Sequence, residues 1–115
     1  MSLPKLAAAR SVAKTLLPSE NTIDESIVKS AHLLISIVEA RMAAGVAAET
    51  VHDAVMSASA GLAALGQARD HVITCHKQLS ETRDAQGLDP RAVGCHLHKL
   101  VGSSEDDSVV HLRRA

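Results

Sequence analysis

His71, Cys75 and His76 fall within six consecutive positions, and Cys95, His96 and His98 form a second group downstream. Thiolates and imidazoles suit a tetrahedral zinc ion, and a thiol near an imidazole is also the raw material of a cysteine nucleophile. On a helix, His71 and Cys75 share a side because they are four apart, whereas His76 stands about 100° round from Cys75. His76 instead joins Leu65, Arg69, Val72 and Leu79 along one apolar stripe. Cys95 and His98 share a side that points away from Val93, Leu97 and Leu100, with His96 on the flank.

The spacing H-x3-C-x19-C-x2-H matches no closed zinc pattern. A metal module, or a metal-dependent enzyme, drawing zinc ligands from His71, Cys75, His76, Cys95, His96 and His98 is therefore the alternative reading. Cysteine catalysis is weaker still. Both thiols fall mid-helix, where neighbouring N–H groups are already bonded and offer no oxyanion hole. No H-E-x-x-H pattern is present, and Glu49 and Asp53 suit the first turn of a helix, where the dipole favours acids. No catalytic residue is assigned, and the chain reads as a non-enzyme with no cofactor of its own.

The elements that must position these side chains are helical. The 115 residues include nineteen alanines and no Phe, Tyr or Trp, so one domain must be built from Leu, Val, Ile, Met and Ala. Pro4 suits the first turn of a helix over 4–17, and Pro18 is expected to end it. Thr22 and Glu25 form a capping box opening a second helix over 22–44. Ile23, Ile27, Ala31, Leu34, Val38 and Met42 line it at helical spacing, and Gly45 closes it. A third helical region spans 47–83, with Gly61 and Gly66 marking a possible kink over 61–66. Its uncharged first half reads as buried and its polar second half as partly wet. Asp89 caps and Pro90 starts a fourth helix over 90–101, and 102–115 reads as a flexible tail outside the 1–101 helical domain.

The expected fold is all-α: an antiparallel helical hairpin or four-helix bundle, completed by dimerisation. Small side chains bury little area each, so a chain of this size is short of core. The expected interface comprises Ile35, Ile37, Leu65, Arg69, Val72, His76 and Leu79.

A net charge of -1 and the lack of aromatic rings disfavour nucleic-acid binding. No apolar run reaches the length of a membrane span. Lys5, Arg10 and Lys14 precede the first acid, Glu20, as in an organelle presequence; the simpler reading is a helix with a basic outer face. Two cysteines make no disulfide framework, which fits the cytoplasm. The sequence thus points to a small helical structural, adaptor or regulatory protein that acts by association.

Overall fold

A computed structural model describes residues 3–94 of the chain. All regular structure among them is helical: α1 (Leu3–Ala44), a 3-10 turn (Ala48–Val51), α2 (His52–Ala85) and the single-turn α3 (Pro90–Val93). The all-α expectation holds at that level. Packing divides the described residues into two units, Leu16–Gln78 on the one hand and 3–15 with 79–94 on the other.

Within Leu16–Gln78, α1 and α2 run antiparallel. His76 Nδ1 lies 2.7 Å from Glu20 Oε1, and Arg69 donates to Asp24 Oδ1 at 2.7 Å, so residues later in α2 meet residues earlier in α1. Gly45, at φ 67°, ends α1, and Arg41 Nε donates to Val46 O at 3.0 Å across the turn. A left-handed φ is cheap only without a Cβ, which is why glycine stands there.

The half-buried residues of α1 in this unit include Leu16, Glu20, Ile23, Ile27, Ser30, Leu34, Ile37 and Arg41, at strict spacings of four and three. That is a 3.5-residue repeat, the mark of a seam between supercoiled helices. The matching line on α2 is Val55, Ala58, Leu62, Leu65, Val72 and His76, all half-buried, with exposed Arg69 filling the remaining seam position. The stripe read from sequence drifts off this seam. Ile23, Ile27 and Leu34 lie on it, but Val38 and Met42 are exposed, because four of the stripe's five steps are four residues long and wind it off a 3.5-residue seam.

The helix boundaries expected at 17 and 22 are wrong: α1 continues through Pro18. Proline in a helix interior forfeits one hydrogen bond and costs about 3 kcal/mol. Seam residues Leu16, Glu20 and Ile23 nonetheless stay in register across it, so packing outweighs local propensity. Thr22 is accordingly no cap. Its Oγ1 donates back to Pro18 O at 2.8 Å, and Ser26 Oγ donates to Thr22 O at 2.8 Å. The uncharged stretch after Met56 is not buried by its own chain either, since Met56, Ala60, Ala63 and Ala64 are exposed. Gly61 and Gly66 lie inside the continuous α2.

In the other unit, α2 ends in a Schellman turn. Leu88 N–H donates to Arg83 O at 3.1 Å and Gly87 N–H to Asp84 O at 3.0 Å, with Gly87 at φ 70°. Asp89 Oδ1 accepts from Arg91 N–H at 3.0 Å and Pro90 opens α3, as the sequence predicts. Gly94, at φ 91°, closes α3 directly after Val93, so the helix expected over 90–101 does not run on through this glycine. Arg83, Leu88 and Val93 are the buried residues here, and Arg10 Nε donates to Ala92 O at 2.7 Å. The proposed tail, 102–115, lies outside the described residues.

Candidate interaction surface

The members of the first His/Cys group separate when placed on α2. His71 and Cys75 are exposed, and Cys75 is a free thiol. His76 is half-buried in the seam with its Nδ1 engaged by Glu20. Cys95, His96 and His98 lie outside the described residues. Among the described residues no three His, Cys, Asp or Glu side chains gather closely enough to hold a metal ion. Glu49 and His52 make one E-x-x-H spacing, but it straddles the junction of the 3-10 turn and α2, and both ends are exposed. No described helix is long and apolar enough to cross a membrane.

The residues expected at an interface divide between seam and surface. Ile37, Leu65, Val72 and His76 are half-buried on the inner lines of the Leu16–Gln78 unit, and Leu79, in the other unit, is half-buried too. Ile35 and Arg69 are exposed. The Asp24 hydrogen bond, then the Asp24 charge, raise the Arg69 guanidinium above its ordinary value, with Glu20 adding to the effect. Both partners of this pair are about half exposed, so water screens much of the attraction.

What the seam leaves uncovered is a second line on α1. Val28, Ala31, Ile35, Val38 and Met42 are again spaced by three and four. Ala31 is half-buried; the other four are exposed, Met42 most of all at 64%. They sit one step round the helix from the seam, on the flank that also carries Asp24.

The corresponding flank of α2 follows from handedness. In an antiparallel pair of right-handed helices, the residues just after the second member of each seam pair face the same side on both helices. Here those are Asp24, Ala31 and Val38 on α1, and Ser59, Gly66 and Ile73 on α2. The Asp24–Arg69 bond, reaching from this flank of α1 to the near edge of the α2 seam, agrees with that assignment. Met56, Ser59, Ala63, Gly66, Asp70 and Ile73 therefore share a face with Val28, Ile35, Val38 and Met42. All belong to the Leu16–Gln78 unit. On the opposite flank, Leu33 is the one exposed large apolar residue of α1 among the described residues of that unit, and α2 presents Ala54, Ser57, Gly61, Ala64, His71 and Cys75.

The sequence reading singled out Ile35 but missed Met56 and the small residues beside it. The missed signal is the second 3.5-residue line on α1, which appears only once the first is fixed.

Comparison with family models, curated proteins and solved structures finds no match for this chain.

Proposed function

We propose that this chain is a structural, adaptor or regulatory protein that works by protein–protein association, first of all with itself. One observation carries the reading: a line of large aliphatic side chains on α1 faces solvent beside the seam that the hairpin closes. Contiguous apolar patches of several hundred Å2 mark interaction sites in folded chains. No catalytic or cofactor role is assigned. An exposed free thiol at Cys75 suits a reducing compartment, and the cytoplasm is the proposed location. Neither a nucleic acid nor a membrane surface is a proposed partner.

Metal binding through 71–76 and 95–98 remains the alternative function, but no geometry on α2 favours it. His76 is committed to Glu20, whereas His71 and Cys75 lie on the outward side of the helix.

Sedimentation velocity of the chain purified natively tests the association reading. The expected species is heavier than the 12.1 kDa chain. Only a 12.1 kDa species, with no protein bound to it, contradicts the reading.

A further inference from the structure

The exposed face of the hairpin holds two unlike lanes at the same height. The Glu20–His76 and Asp24–Arg69 contacts set Val28, Ile35 and Val38 roughly level with α2 residues between Met56 and Gln67. The α1 lane is bulky: Val28, Ile35, Val38 and Met42. Between exposed Met56 at one end and Asp70 and Ile73 at the other, the α2 lane beside it has a shallow stretch: Ser59, Ala63 and Gly66. A Cβ built at Gly66 meets nothing within 4 Å, so the space there is open.

We propose that this face docks on the same face of a second copy of the chain, with α1 of each copy lying over α2 of the other. The proposal rests on the association reading and names its surface and partner. Self-complementarity is the first argument. A two-fold interface uses one patch twice, so that patch must carry both the protrusions and the recesses that receive them. This face carries both, whereas a single segment laid along it would need only one lane.

Area is the second argument. The exposed parts of Val28, Ile35, Val38, Met42 and Met56, with the small residues between them, amount to roughly 500 Å2 of apolar surface. That is about the apolar share of the 800 Å2 or so that each partner contributes to a standard interface.

The lanes also choose the symmetry. A two-fold axis parallel to the helices keeps every residue at its own height, so Val28 and Ile35 of one copy land on the shallow Ser59–Gly66 stretch of the other. An axis across the helices would stack bulky on bulky and small on small. Interdigitation of large with small fills space better. The two turns then lie at the same end of a four-helix bundle.

Two matched pairs of variants test this by sedimentation equilibrium of the full chain. Ile35→Ser is compared with Leu33→Ser, since the wild-type residues are almost equally exposed, at 51% and 56%, on opposite flanks. Gly66→Leu is compared with Gly61→Leu, both open to a Cβ within the chain. The wild type is expected at twice 12.1 kDa. Ile35→Ser and Gly66→Leu are expected to weaken dimerisation by about tenfold or more, and their controls by no more than about threefold. Far-ultraviolet circular dichroism should show all four still helical.

Controls as damaging as the test variants would overturn the face while leaving association standing. Loss with Ile35→Ser but not with Gly66→Leu would overturn the α1-over-α2 pairing. A wild type that stays at 12.1 kDa up to about 100 µM would overturn the second copy as occupant, leaving residues 95–115 or another protein. Association with another protein would still be judged by the native-purification experiment.

Discussion

Glu20 and His76 are a polar pair that meets inside the seam, and their 2.7 Å contact joins the two helices. Removing one partner of such a half-buried pair leaves the other in a poorer medium than water. Glu20→Ala is therefore expected to cost about 1–3 kcal/mol in urea unfolding. Replacing both residues by leucine is expected to restore or exceed wild-type stability, because an apolar seam loses nothing to desolvation. A polar seam residue of this kind fixes register at some cost in stability. If Glu20→Ala unfolds at the wild-type urea concentration, the contact contributes nothing and the register rests on packing alone. The Arg69–Asp24 bond, half exposed, carries no such expectation.

At the scale of elements, Pro18 and Thr22 distinguish a continuous α1 from two helices joined by a turn. A proline at a real break is tolerated without cost, whereas one inside a helix removes a hydrogen bond and crowds the turn before it. Pro18→Ala is expected to stabilise the chain by about 1–3 kcal/mol. Thr22→Ala is expected to be near neutral, because the hydroxyl bonds back to Pro18 O and caps nothing. Thermal melts of the two variants check both statements, and the reverse pattern would restore the broken helix. The stop at Pro18 and the capping box were legible as local signals, yet both yielded to a seam whose 3.5-residue repeat crosses them. Where local and long-range signals agreed, at Asp89–Pro90 and Gly45, sequence alone located the boundary. A local stop signal misleads where a longer repeat runs across it, as at Pro18. The phase of Val38 and Met42 was not legible either, since successive steps of four pick out apolar residues that wind away from the seam.

For the whole molecule, the sequence made the shortage of core visible but not which face it exposes. An alanine-rich chain without aromatic rings has little to bury. Among the described residues, Leu88 and Val93 are the buried apolar side chains, and the seam between α1 and α2 is half-buried except at exposed Arg69. Stability then depends on what covers the remaining apolar line. If a second copy covers it, folding and association are linked, and the melting temperature depends on protein concentration by mass action. The most direct measurement is thermal unfolding followed by helical circular dichroism over a roughly 100-fold range of protein concentration. The account predicts a melting temperature that rises by several degrees from the most dilute sample to the most concentrated, with Ile35→Ser flattening the dependence. A melting temperature that stays the same across the whole range would contradict it.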